Sequence, residues 1–296
     1  LSNYDNAQKF GYDNSFVDEK LGFRMLSRKG MNETAIDMCY KAYQDLSNNE
    51  TIELEKIGLV VVVTQNPTYK VPHSSAILHN VLGLQKSCIT FDISQGCSGY
   101  CHALMIMQSV MDSMNINTAL LFTCDCYSEI INEDDKNVGM IFGDAASVTL
   151  LDKLRNGYII KNSVFGTLPD SNDCLILRDF LRMDGRKVFQ YACGEVPCSV
   201  MDLLDKTEKE SVELYIFHPG TKFIVDSLVR LLELPEEKVE FSASEYGNTV
   251  SSSIPIQLSK YTGSKYKQKV IISGFGVGFT WGSCLLEYSQ GLNKQI

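Results

Sequence analysis

A chain of 296 residues, 44% hydrophobic and 21% charged, has ordinary globular composition and enough apolar surface for one large core or two fused halves. Its 27 Lys and Arg against 36 Asp and Glu leave a formal charge of −9, which argues against nucleic acid as a bulk partner and confines any acidic partner to a local basic patch. No apolar run approaches the roughly 18–20 residues that span a bilayer, and the ten cysteines include no CxxC pair and no histidines at zinc spacing.

Unpaired thiols in such number fit a reducing cytoplasm, with neither a membrane span nor a metal site expected. The chain starts at Leu1 rather than Met, so further N-terminal sequence is expected ahead of it. In chain order, residues 34–46 read as a helix, 57–64 as a fully buried strand and 74–82 as a helix. A strand over 88–93 leads into a helix over 97–114, and strands over 118–124 and 145–151 close this part, with Gly143-Asp144 turning into the second.

The same order then recurs. A helix over 188–204, a strand over 214–217, a helix over 221–232 and a strand around 239–242 lead through Glu245-Tyr246-Gly247-Asn248 into a helix over 251–259. Strands over 270–273 and 280–288 finish the chain. Alternating strands and helices predict mostly parallel sheets with helices on both faces. The unit used twice predicts two pseudo-twofold-related α/β halves, 1–160 and 161–296, packed as a five-layered αβαβα domain.

The segment Phe91-Asp92-Ile93-Ser94-Gln95-Gly96-Cys97-Ser98-Gly99-Tyr100 is the richest in chemistry. A cysteine on the first turn of a helix meets unpaired N–H groups and the positive end of the dipole. Both favour the thiolate, which predicts a thiol below its ordinary value of roughly 8.5, and the same N–H groups can receive an oxyanion. Free cysteines are most often plain buried hydrophobes; the strand–Gly–Cys–helix setting separates Cys97 from the other nine.

Of the four histidines, His73 follows a proline in a loop, and His79 and His102 fall on helix surfaces or seams. His218, in Ile216-Phe217-His218-Pro219-Gly220, ends a buried strand, at the sheet edge where ligands bind in α/β folds. Asn248 follows Gly247, which by itself is turn chemistry. Its position in the repeat corresponds to that of Cys97, and it is predicted at the same edge.

Cys97 with its flanks, His218 and Gly247-Asn248-Thr249 together resemble the decarboxylating condensing enzymes of the thiolase superfamily, most nearly the β-ketoacyl-acyl-carrier-protein synthase III type. Asn32-Glu33-Thr34, Phe142-Gly143-Asp144-Ala145, Met183-Asp184-Gly185-Arg186-Lys187-Val188-Phe189 and the Gly274 to Ser283 stretch carry the resemblance across nearly the whole chain, short of the family's opening strand. The family follows its histidine with Gln-Ala-Asn and soon an arginine; here Pro219-Gly220-Thr221-Lys222-Phe223 stands instead. That stretch and Gln95-Gly96-Cys97 lean towards chalcone-synthase-like enzymes, whereas Trp281-Gly282-Ser283 is synthase III-like.

The resemblance implies a thiolase-like fold and an acyltransferase that loads an acyl group from acyl-CoA onto Cys97. The acyl group is then condensed with malonyl-acyl-carrier protein in a decarboxylative Claisen reaction, with no metal or redox cofactor. His218 and Asn248 would stabilise the enolate, and the backbone N–H groups of Cys97 and Val277 the oxyanion. Phe16 stands where a tryptophan stacks on the adenine of coenzyme A, or is a core residue. Lys20 and Lys136 would lie near its phosphates, Phe189 in the substrate channel, and Val71 where the acyl pocket is trimmed across a homodimer interface. Arg178, Arg182, Arg186, Lys187 and Lys222 form a candidate carrier-protein patch. Acyl transfer to a hydroxyl or amine without decarboxylation, and a non-catalytic partner subunit, are the alternatives. Fatty-acid initiation and a specialised acyl or polyketide pathway both remain open, with Pro219-Gly220 leaning towards the latter.

Overall fold

The computed structural model describes residues 1–290. The first part of the chain forms α1 (Asn3–Lys9), α2 (Ala35–Asn49), β1 (Ile57–Val63), α3 (Ser74–Leu82), β2 (Ile89–Ile93), α4 (Gly99–Ser113), β3 (Thr118–Asp125) and β4 (Ala145–Asp152). There follow β5 (Gly157–Thr167), the short pair β6 (Leu175–Leu177) and β7 (Leu181–Met183), and α5 (Gly185–Leu204). The chain continues through β8 (Leu214–Phe217), α6 (Lys222–Leu231), β9 (Val239–Glu240), α7 (Ser253–Leu258), β10 (Lys269–Gly276) and β11 (Thr280–Ser289). Local chemistry sets the boundaries: α2 starts behind a capping box in which Thr34 and Asp37 each accept the other's backbone N–H, at 3.2 and 2.9 Å.

Two sheets carry the repeat. The first runs β2-β1-β3-β4 and the second β5-β11-β10-β8-β9. In the first, β1 is parallel to β2 and β3, and β4 closes antiparallel on β3. In the second, β8 is parallel to β9 and β10, and β11 closes antiparallel on β10. The same order and the same polarities therefore occur twice, with β5 added outside β11.

Burial follows from the strand period of two. Leu59, Val61 and Val63 of β1 face inward with Leu214, Ile216, Val270 and Ile272 of the second sheet, around Met107 and Met111 of α4 and Ile254 of α7. Val60 and Val62 face the other way, onto Ala35, Ile36 and Cys39 of α2 and Leu78 and Leu82 of α3. Tyr215, Phe217, Ile271 and Phe275 face Ala192, Val196, Leu228 and their neighbours on α5 and α6. The layers are thus α2/α3, sheet, α4/α7, sheet, α5/α6, the expected five-layered thiolase-like arrangement.

Differences from the predicted elements are local. The expected strand at 239–242 shrinks to two residues, and the helix at 251–259 begins as a 3-10 turn, Val250–Ser252, before α7. β5 was not anticipated, because Lys161, Asn162 and Gly166 interrupt its apolar run. It pairs along its length with β11, so a division of the chain at 160 falls inside a strand of the second sheet. The chain passes between sheets in the turn over 153–156.

Candidate active site

Cys97 lies in the turn between β2 and α4, one residue ahead of the N-cap Ser98. It is not on the first helical turn as expected, and it is 5% exposed. Its thiol is pushed up to about 12, the reverse of the expected depression. Burial is the main cause, the Asp125 carboxylate adds to it, and the residue's own backbone N–H acts weakly the other way. Cys97 therefore rests as a thiol, and nucleophilic attack needs a base to take the proton.

His218 follows β8 directly, with its N–H donating to the Ser273 carbonyl at 2.8 Å and its carbonyl accepting from Gly220 N–H at 2.8 Å. The ring is buried edge-to-face against Phe275, with centroids 5.6 Å apart, and burial pushes the imidazole down to about 3. It is neutral at working pH, with one N–H to donate and one lone pair to accept. Its Nδ1 is buried without a hydrogen-bond partner among the described residues.

Asn248 is held by its backbone: its N–H donates to Ile141 O at 2.9 Å and its carbonyl accepts from Gly143 N–H at 2.9 Å. Its side-chain Oδ1 accepts from Val250 N–H at 2.9 Å, which leaves the Nδ2 amide as the end that can donate to a ligand. This turn is strained. Val250, a β-branched residue, has φ of +54°.

Strand β10 packs against both Cys97 and His218. A Cβ on Gly276 would stand 2.8 Å from Cys97 Cβ and 2.9 Å from its Sγ, and one on Gly274 would stand 2.6 Å from the Cys97 carbonyl oxygen. Only glycine allows that approach. Between them, Phe275 carries the ring that packs on His218. On the opposite side, Val250 Cγ1 lies 3.2 Å from where a Cβ on Gly96 would be. Val277 follows Gly276, and the N–H groups of Cys97 and Val277 enter no turn or loop backbone hydrogen bond among the described residues.

The outer residues divide. Phe189 and Phe223 stack at 5.2 Å, and the Lys20 ammonium sits 4.7 Å from the Phe223 ring centroid. Phe16 belongs to a π-helical segment and stacks on Tyr12 at 4.1 Å. Lys136 is exposed, and Val71 is 85% exposed. Lys187 pairs with Asp173 at 2.8 Å and Lys222 with Asp226 at 2.6 Å, so two of the expected docking cations are already neutralised. Arg178, Arg182 and Arg186 are exposed. Sequence reasoning missed Gly274, Gly276, Phe275 and Asp125; an acid ending the apolar strand at 118–125 was the available signal.

Comparison with known proteins bears on the family and the fold. The family model described as 3-oxoacyl-[acyl-carrier-protein] synthase III matches residues 91–169, and its C-terminal counterpart matches 205–288. The β-ketoacyl-[acyl-carrier-protein] synthase III of Acholeplasma laidlawii is 30% identical over 292 residues, covering 97% of this chain and 93% of that protein. The solved 3-oxoacyl-(acyl-carrier protein) synthase of Burkholderia xenovorans is 27% identical with a TM-score of 0.89, covering 99% of this chain and 91% of that one. The synthase III of Aquifex aeolicus is 26% identical with a TM-score of 0.90, covering 97% and 95%. With the fold, both family models and a full-length relative in agreement, the chain belongs to the β-ketoacyl-acyl-carrier-protein synthase III family.

Proposed function

We propose that this protein is a condensing acyltransferase that joins an acyl group from acyl-CoA to a malonyl thioester by decarboxylative Claisen condensation. In the first half-reaction His218 takes the Cys97 proton as Sγ attacks the acyl thioester. The C–S bond to coenzyme A breaks, and the leaving thiolate receives that proton. The N–H groups of Cys97 and Val277 meet the tetrahedral oxyanion; losing one such donor costs about 3–4 kcal/mol of barrier.

In the second half-reaction the malonyl thioester carbonyl accepts hydrogen bonds from the His218 imidazole and Asn248 Nδ2. Carbon dioxide leaves, and the charge develops on that oxygen. Two neutral donors stabilise the enolate without quenching its carbon, which attacks the acyl-Cys97 carbonyl; the C–S bond to Cys97 breaks, the β-ketoacyl thioester leaves, and the Cys97 thiolate takes up a proton from solvent to restore the thiol. The chemistry as written draws on no metal or redox cofactor. The observation that carries the reading is a buried thiol and a buried neutral imidazole packed against Gly274–Gly276, with Val250 of the Asn248 turn reaching Gly96 beside the thiol.

The relatives' names, β-ketoacyl-[acyl-carrier-protein] synthase III and 3-oxoacyl-(acyl-carrier protein) synthase, support β-ketoacyl synthesis with a carrier protein, which we assign to fatty-acid biosynthesis, and lend no support to the two alternatives, simple acyl transfer and a non-catalytic subunit. The extender rides on acyl-carrier protein, for which Arg178, Arg182 and Arg186 are the exposed cations. A homodimer fits the 85% exposure of Val71, and a cytoplasmic setting fits the free thiols. No helix among the described residues is long and apolar enough to cross a membrane. The two halves divide at 153–156.

The test is product analysis by mass spectrometry after incubation with acyl-CoA and malonyl-acyl-carrier protein. A β-ketoacyl-carrier product that disappears in N248A, while acyl loading persists, is expected. Formation of an ester or amide instead would overturn the reading.

A further inference from the structure

Asp125 ends β3 and is fully buried. Among the described residues, every hydrogen bond to its carboxylate comes from a neutral donor. Thr64 Oγ1 donates to Oδ1 at 3.3 Å and Gln65 N–H at 2.8 Å; Ser251 N–H donates to Oδ2 at 3.3 Å, and Ser251 Oγ also donates to Oδ2. A buried carboxylate without a cation is costly to maintain, and its donors identify what it holds.

One set of donors leads to the turn of Asn248. Ser251 directly follows Val250, whose positive φ is sustained on one side by the Asn248 Oδ1 bond and on the other by the Ser251–Asp125 bonds. The other set leads to Gln65, whose Oε1 accepts from Tyr127 OH at 3.2 Å and lies 2.4 Å from where a Cβ on Gly96 would be. The carboxylate therefore clamps two walls from different parts of the chain onto the peptide that precedes the nucleophile. Its charge raises the thiols of Cys97 and Cys124 and the phenol of Tyr127.

We infer that Asp125 is a positioning residue for the reaction: it locks the Asn248 turn and the Gln65 wall against the peptide carrying Cys97. The inference rests on the proposed condensing reaction. It assigns the strain at Val250 a purpose, since a relaxed turn would swing the Nδ2 amide away from the enolate oxygen.

Two variants test it. S251A removes one clamp and keeps the charge; acyl loading is expected to stay within twofold of wild type while condensation falls about tenfold. D125N weakens both clamps at once, so condensation is expected to fall at least as far as in S251A while acyl loading persists. S251A losing loading and condensation equally, or neither, overturns the clamp, and this arm decides even if D125N fails to fold. Condensation in folded D125N within twofold of wild type likewise overturns it. A wild-type protein that accepts no acyl group would instead overturn the proposed reaction, a separate result.

Discussion

Replacing Gly276 by Ala probes the contact on which the site is built. The new methyl carbon would stand 2.8 Å from Cys97 Cβ and 2.9 Å from Sγ, where carbon contacts are comfortable at roughly 3.5–4.0 Å. About 1 Å of space is missing. Cys97 has no room to retreat along the strand, because its carbonyl already faces Gly274 at a distance that excludes a Cβ there. Overpacking of this kind costs about 1–3 kcal/mol of stability, and a misplacement of about 1 Å at a reacting atom slows the step on the order of 100-fold. Single-turnover acyl loading, followed by intact mass, reads the rate; urea unfolding reads the stability. Gly194→Ala is the control: its Cβ meets nothing within 4 Å, and in the middle of α5 it should gain up to about 1 kcal/mol with loading unchanged. G276A loading within twofold of wild type would refute the argument that β10 seats the nucleophile.

Other expectations follow from the same geometry. Burial moves His218 from 6.5 to about 3, so between these values the unfolded chain binds a proton that the fold does not, and stability from this group is lost as pH falls through that window. Asp125 works in the opposite sense. Its carboxyl rises from 3.8 to about 6, so the fold holds a proton the unfolded chain has released, and stability from this group falls as pH rises across that range. Denaturant unfolding of D125N at pH 4.5, 5.5 and 6.5 should show a steeper rise of stability with pH than wild type; a parallel dependence contradicts the assignment. F223R puts a cation beside Lys222, where this chain departs from its family. A rim charge is worth about 0.5–1 kcal/mol, so KM for malonyl-acyl-carrier protein should fall two- to fivefold with kcat unchanged. An unchanged KM would exclude that face from carrier docking.

The buried parallel strands were readable because burial on both faces makes them continuous apolar runs, as in Val60-Val61-Val62-Val63. The repeat was readable for the same reason, and through it the correspondence of Cys97 and Asn248. β5 was not: it is held by backbone pairing to β11, and its half-exposed side chains carry no clean period. Ionisation of Cys97 was misjudged because helix position is local, whereas burial under β10 and the Asp125 charge come from distant segments. The strain at Val250 is likewise invisible in Asn248-Thr249-Val250, since valine gives no hint of a left-handed backbone. The neutralised lysines, Lys187 and Lys222, depended on which acids fold beside them.

The central claim is that Cys97 carries the acyl group between two thioesters. Intact-protein mass spectrometry after incubation with a panel of acyl-CoAs, beside a C97A control, tests it most directly. The account predicts a mass increase of one acyl group in the wild type, absent from C97A and discharged on adding malonyl-acyl-carrier protein. An adduct that survives in C97A, or one that malonyl-acyl-carrier protein does not discharge, would contradict it.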